Sequence, residues 1–145
     1  TTEHISGFEF LLSKTYISKR RKIKYISESH ISELLCLIII EGIKQNSKTL
    51  INFALNHKKF KVDEKNNFAI RKASELGKLS LVKKLIKMKA DPSDMKNRAI
   101  ILAKKNKHYK IFDLLINNEQ VLKKLEEENL ELYLELKIGA KIKNF

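Results

Sequence analysis

The side chains of this sequence that are best suited to bind a ligand are basic, and the densest group of them lies near the N-terminus. This run consists of Lys19, Arg20, Arg21, Lys22 and Lys24. Ammonium and guanidinium groups at this density pair with phosphates and carboxylates. The run predicts a nuclear-localisation signal or a phosphate-contacting arm, and the alternative is a solvated linker between two helical segments.

A second basic group is spread through the middle of the chain. It comprises Arg71, Lys72, Lys78, Lys96, Arg98, Lys104, Lys105 and Lys107. The whole chain carries a formal charge of +13, which favours nucleic acid, an anionic membrane surface or an acidic protein as a partner. Only four of its 30 basic residues are arginines, and Ile and Asn are abundant, a pattern typical of an AT-rich genome. Codon bias therefore remains an alternative explanation for the charge.

Acidic residues gather near the C-terminus. Residues 1–118 carry a net charge of +14, whereas residues 119–145 carry −1. The acids concerned are Glu126, Glu127, Glu128, Glu131 and Glu135. Such a group is typical of the solvated face of a capping helix, and the alternative is a patch that masks the chain's own basic residues or orients a partner.

Side chains for catalysis or metal binding are sparse. His4, His30, His57 and His108 lack metal-ligand spacing, and no glycine-rich phosphate loop occurs. Cys36, the only cysteine, lies in an apolar segment, where a thiol usually acts as a small hydrophobic side chain. We therefore expect no enzymatic activity, no cofactor, no bound metal and no small-molecule substrate.

The compartment can be inferred from the cysteine content and the apolar runs. A single cysteine cannot form an internal disulfide, which fits a reducing compartment. The longest apolar run, residues 34–40, is far shorter than the roughly 20 residues that span a bilayer, and no signal peptide precedes it. We expect an intracellular protein without a membrane span, in the cytoplasm, with the nucleus as the alternative that the basic run allows.

The elements that must position the basic residues form an internal repeat of about 30 residues. Two segments align, pairing Ala69 with Ala99, Ile70 with Ile100, Ala73 with Ala103, Val82 with Phe112, Leu85 with Leu115 and Ile86 with Ile116. A weaker copy precedes them, with Gly42 in the place of Ala73. Each copy has an apolar first helix, a break near Asn46, Gly77 or Lys107, and a second helix with i, i+3, i+4 spacing. The small residues predict close approach between stacked hairpins.

This pattern resembles the ankyrin repeat family over roughly 85 residues. Residues 68–71 stand at the T-P-L-H positions, Ala73 and Ser74 at the two alanines, 77–79 at G-H-L and 89–91 at G-A-D, and residues 98–101, 103–104 and 107–109 correspond in the next copy. The resemblance implies an all-α solenoid of stacked helical hairpins that binds other proteins. It also implies that the second basic group lines a groove, with Lys83, Lys84 and Lys87 on the opposite side.

The repeats depart from the family pattern in their turns. No copy keeps the Thr-Pro or the histidine of T-P-L-H, so the hydrogen bonds of those side chains cannot form in the same way. Only six residues separate Asp91 from Arg98, where the family has about nine, and the repeat is shorter than the usual 33. We expect β-hairpin fingers that are short or absent, and a binding surface formed by the helices.

The repeats divide the chain into three parts. Residues 1–33 form an N-terminal half-repeat cap with the basic linker, residues 34–118 three repeats (about 34–63, 64–93 and 94–118), and residues 119–145 a helical cap or truncated fourth repeat. Residues 130–138 alternate apolar and polar side chains as in a strand, but the strong helix formers around them favour a helix. Gly139 is the expected break of the truncated repeat.

Fold and charge together predict a non-enzymatic ankyrin-like adaptor that docks on an acidic protein surface or a larger assembly. The alternative is a basic protein that associates with RNA or a ribonucleoprotein and contacts phosphates through lysines. Against it, aromatic residues for base stacking are not interleaved with the lysines. A third reading is a structural subunit whose charge reflects genome composition.

Overall fold

The computed structural model describes the backbone of residues 28–142 and the side chains of residues 30–138. This part of the chain contains helices joined by turns and no strand. Its eight helices are α1 (Glu28–Lys44), α2 (Lys48–Asn56), α3 (Glu64–Glu75), α4 (Leu79–Lys87), α5 (Asp94–Lys105), α6 (Tyr109–Ile116), α7 (Glu119–Glu128) and α8 (Leu130–Ile142). The all-α prediction is confirmed for these residues, and residues 130–138 belong to a helix.

The turns that follow α1, α3 and α5 lie where the sequence predicted breaks. Asn46, Gly77 and Lys107 each have a positive φ, of 52°, 71° and 59°. In each turn the N–H of the next residue donates to the carbonyl five residues earlier, at 2.7–2.9 Å. This pairing is the Schellman arrangement, which uses a left-handed residue to end a helix. The three predicted breaks are confirmed.

The chain divides into two compact units, Thr1–Glu64 and Lys65–Phe145. In the first, α1 packs against α2. Gly42 permits this close approach, because a Cβ at this position would lie 2.8 Å from Ile51 Cγ1. The sequence predicted that Gly42 serves stacking between hairpins, whereas the contact that needs a glycine lies between the two helices of one hairpin.

The core of the second unit follows the 30-residue spacing. Ala69 and Ala99, Ile70 and Ile100, and Ala73 and Ala103 are all at most 2 % exposed. Around them α4 packs against α6, α5 against α6 and α7, and α7 against α6 and α8. Small side chains at the recurring positions allow this close packing of helices. One aligned pair differs, because Val82 is buried whereas Phe112 is half-buried.

Two left-handed segments occur inside the ranges of α3 and α5. Residues 65–67 and 95–97 have φ values of 50° to 59°. Left-handed backbone costs roughly 1–2 kcal/mol for each residue that carries a Cβ, so tertiary interactions must hold these segments. Each segment ends in an asparagine, Asn67 or Asn97, a residue type that tolerates this conformation.

The break between the last two helices, α7 and α8, lies at a different residue from the one expected. Helix α8 continues through Gly139 to Ile142, so the predicted break at Gly139 is wrong. The break lies at Asn129, whose Oδ1 accepts the N–H of Leu132 at 3.0 Å. A side-chain cap of this kind starts a new helix, whereas one glycine in a helix costs only about 1 kcal/mol.

Candidate functional site

A buried amide connects α3 to the turn that leads into α5. Asn67 is 5 % exposed; its Nδ2 donates to Asp94 Oδ2 and its Oδ1 accepts the N–H of Asp91, both at 2.8 Å. Asp91 Oδ1 also accepts from the N–H and the hydroxyl of Ser93, at 2.8 and 2.6 Å. Asn67 thus makes a connection between repeats in the absence of the Thr-Pro and histidine bonds. It fixes the start of α5, the helix that carries four of the eight residues of the second basic group.

The same position in the following repeat lacks these partners. Asn97 is 1 % exposed, yet its Oδ1 has no hydrogen-bond partner among the described residues. The turn that satisfies Asn67 has no counterpart after α6, where only Asn117 and Asn118 lead into α7. The bridge that Asn67 makes is therefore not repeated by Asn97 Oδ1 within the described residues.

The other end of α3 is capped by the turn between α5 and α6. His108 Nε2 donates to the carbonyl of Glu75 at 3.0 Å, and Asn106 Nδ2 donates to the same oxygen at 3.1 Å. The His108 ring lies against Gly77, where a Cβ would be 2.6 Å from the ring. These contacts fix the turn that presents Lys107.

Arg71, a predicted partner-binding residue, is hydrogen-bonded to the backbone at the start of its own helix. Its Nε and Nη2 donate to the carbonyls of Asn66 and Lys65 at 3.0 and 2.9 Å. The guanidinium carbon also lies 5.5 Å from the centre of the Phe68 ring. Arg71 thereby holds the left-handed segment 65–67 in place. Ile101 occupies the same position in the next repeat and cannot act in this way.

Two other predicted residues form salt bridges within the chain. Lys72 pairs with Glu75, and Lys104 pairs with Glu135 of α8, each at 2.6 Å. Because the Lys104 and Glu135 side chains are 43 % and 63 % exposed, the pair contributes little to stability. The pair does show that one residue of the acidic C-terminal group, Glu135, contacts a predicted basic residue.

The remaining basic residues of the predicted groove are accessible. Lys78, Lys96, Arg98, Lys105 and Lys107 are exposed or half-buried, and none forms a salt bridge within residues 30–138. Arg98 and Lys105 stand seven residues apart on α5, which places them on the same face of the helix. Lys107 follows in the next turn, whereas Lys78 immediately precedes α4 and Lys96 lies in the left-handed segment 95–97 of α5.

Some sequence predictions fall on other parts of the chain. The basic run Lys19, Arg20, Arg21, Lys22 and Lys24 lies outside the described residues. Among those that are described, no group of three or more His, Cys, Asp or Glu side chains is placed to hold a metal ion. Within the same range, no helix has both the length and the apolar character needed to cross a membrane.

An apolar cleft of about 410 Å³ opens beside the basic face of α5. Its apolar lining consists of Ile100, Ile101, Phe112, Leu132 and Leu136, and its polar lining of Lys104 and Lys105. The sequence predicted the two lysines as binding residues but assigned no binding role to any of the apolar residues. One signal was present, because the repeat alignment sets Lys104 and Phe112 where the preceding repeat has the buried Ser74 and Val82.

Comparison of the chain with models of protein families, with characterised proteins and with solved structures gives no significant match.

Proposed function

We propose that this chain is a non-enzymatic, ankyrin-like interaction module that docks on an acidic protein surface through α5 and the turn that follows it. The proposal rests on the exposure and the charge of Arg98, Lys105 and Lys107. These residues are exposed, follow one another along α5 and the turn after it, and form no salt bridge within the described residues. Lysines and arginines in this arrangement steer the approach of an acidic partner.

The frame beneath these residues supports a binding role. Asn67 fixes the start of α5, and the bonds of Asn106 and His108 to Glu75 fix the turn after it. A preorganised surface loses less conformational entropy on binding than a mobile one. The basic side chains are therefore attached to a backbone whose geometry is fixed before a partner binds.

The ankyrin-like architecture has three kinds of support. The pairs Ala69 and Ala99, Ile70 and Ile100, and Ala73 and Ala103 are equally buried, and the breaks after the first helices share one turn geometry. Within the second unit, α4 contacts α6 and α5 contacts α7, as expected when first helices stack on first helices and second on second.

The proposal is tested by quantitative affinity purification from the native source with the full chain as bait. Arg98→Glu/Lys105→Glu reverses two charges on α5, and Lys83→Glu/Lys87→Glu reverses two exposed charges on α4 as a matched control. We expect acidic proteins that are enriched by the native chain and the α4 variant but lost with the α5 variant. Equal retention, or equal loss, of the same proteins with both variants contradicts the proposal.

The salt dependence of binding distinguishes the RNA alternative from docking on an acidic protein. Binding of polyuridylate to the chain is measured by fluorescence anisotropy while the salt concentration rises. Phosphate contacts release counterions, so an RNA-binding protein loses affinity steeply. Tight binding with a steep salt slope, without enrichment of any acidic protein, would favour RNA over a protein partner.

A further inference from the structure

The cleft between α5, α6 and α8 combines an apolar floor with a basic edge. Ile101, Phe112 and Leu132 are only half-buried, so part of their apolar surface faces the opening. The volume of about 410 Å³ lies within the range of pockets that accept apolar groups. Lys104 and Lys105 provide the edge.

Helix α8 shows which kinds of side chain can pack against this cleft. It places Leu132 and Leu136, one helical turn apart, against the cleft, and Glu135 between them pairs with Lys104 at 2.6 Å. One wall is thus already formed by an amphipathic helix with two leucines and a carboxylate.

Lys105, the other lysine of the edge, is followed in the sequence by two more lysines, Lys107 and Lys110. Lys105, Lys107 and Lys110 are exposed and form no salt bridge within residues 30–138. They follow one another through the end of α5, the turn and the start of α6, so the fields of Lys107 and Lys110 add to that of Lys105. Charge complementarity requires an acidic occupant.

We propose that this cleft binds an acidic amphipathic helix of a partner protein. Two apolar side chains of that helix, one turn apart, cover Ile101, Phe112 and Leu132, and one of its carboxylates pairs with Lys105. The contact is a second instance of the one that α8 makes with Lys104. The inference rests on the proposed docking function and names its site and the class of partner.

The probes are three blocked synthetic peptides. The first is an alanine-based helix with two leucines at i and i+4 and glutamates beside them, the second has lysine for every glutamate, and the third has alanine for both leucines. Binding to the full, isotope-labelled chain is followed by NMR. We expect the acidic leucine peptide to shift signals of α5, α6 and α8 and to bind at least about tenfold more tightly than the other two.

Two variants test the cleft itself. Lys105→Glu should weaken the acidic peptide about tenfold, and Ile101→Ser should weaken it by a similar factor, while their circular dichroism stays that of the native chain. Lys87→Glu makes the same charge change on α4 and should leave the affinity unaltered. Equal weakening by Lys87→Glu and Lys105→Glu would mean that only the net charge matters, and this would overturn the proposal.

Other outcomes also decide the matter. Equal affinity for the acidic and the lysine peptide, or shifts confined to other helices, overturns it. Concentration-dependent broadening of the cleft signals without peptide would assign the cleft to a second copy of the chain and overturn it as well. A purified partner that is lost with Arg98→Glu but kept with Lys105→Glu and Ile101→Ser would leave the docking function intact and refute the cleft.

Discussion

Asn67 and Asn97 form a matched pair in which the same residue, at the same place in two repeats, should contribute very differently to stability. Both are buried, and both have a φ close to 55°. Asn67 makes one hydrogen bond with the carboxylate of Asp94 and one with a backbone N–H. Asn97 Oδ1 has no partner among the described residues. Replacing either asparagine by alanine makes the same change in side-chain volume and backbone preference. The difference between the two losses in the free energy of unfolding therefore reports the hydrogen bonds that Asn67 makes.

The magnitude follows from these bonds. A hydrogen bond to a charged group contributes about 1.5–3 kcal/mol and a neutral one about 0.5–1.5 kcal/mol. Asn97→Ala removes a buried carbonyl whose desolvation is not compensated, which offsets part of its other costs. We therefore expect Asn67→Ala to lower the free energy of unfolding by about 2 kcal/mol or more beyond Asn97→Ala. For a unit of this size, that difference corresponds to a Tm gap on the order of 10 °C.

The assay is urea unfolding of the full chain, followed by circular dichroism. Because the chain has two compact units, amide hydrogen exchange in α5 reports the second unit separately. We expect protection of α5 to fall far more in Asn67→Ala than in Asn97→Ala. Equal losses for the two variants, or a larger loss for Asn97→Ala, would refute the assignment of the bridge to Asn67 alone.

Three further changes test the contacts around the basic face. Gly77→Ala should cost about 2 kcal/mol in urea unfolding because of its left-handed φ and its contact with the His108 ring; His108→Ala should relieve part of that cost, and strictly additive effects would contradict the contact. Arg71→Ala should lower the free energy of unfolding by about 1 kcal/mol because two backbone carbonyls lose their donor. Arg71→Lys, which lacks the two donor nitrogens of the guanidinium, should recover little of this stability. Full recovery would show that only the charge matters. Glu135→Gln should cost less than about 1 kcal/mol because the salt bridge with Lys104 is exposed; high salt should erase the difference between variant and native chain, and a loss that persists there would argue against a charge effect.

The helical hairpins and their breaks could be predicted from the sequence because both are local. An apolar first helix followed by a residue that accepts the left-handed conformation produces the Schellman turn at Asn46 and Gly77 without reference to the rest of the molecule. At Lys107 the break was predicted from its alignment with Gly77, because lysine itself does not favour this conformation. The burial of Ala73 and Ala103 was predictable for a similar reason, since the same small residue recurs at the same point of each repeat.

The roles of individual polar side chains could not be predicted in this way. Nothing in the pattern shows that Asn67 reaches the turn 24 to 27 residues later, because that distance is set by how α3 and α5 pack. Arg71 was indistinguishable from the other basic residues until its carbonyl partners were visible. The repeat pattern placed a break at Gly139 and was wrong there, since the cap at Asn129 decides where the helix begins.

We attribute three features to the short Asn117–Asn118 link between α6 and α7: the exposed Lys104, the cleft, and an Asn97 Oδ1 that has no partner among the described residues. After α4 the longer turn through Asp91 and Asp94 satisfies Asn67, and Ser74, the counterpart of Lys104, is buried. Replacing the two-residue link by residues 90–94 should therefore satisfy Asn97 and reduce the exposure of the cleft together. We expect this variant to gain stability in urea and to lose affinity for the acidic peptide. A gain in stability with unchanged peptide binding would show that the cleft does not depend on the missing turn.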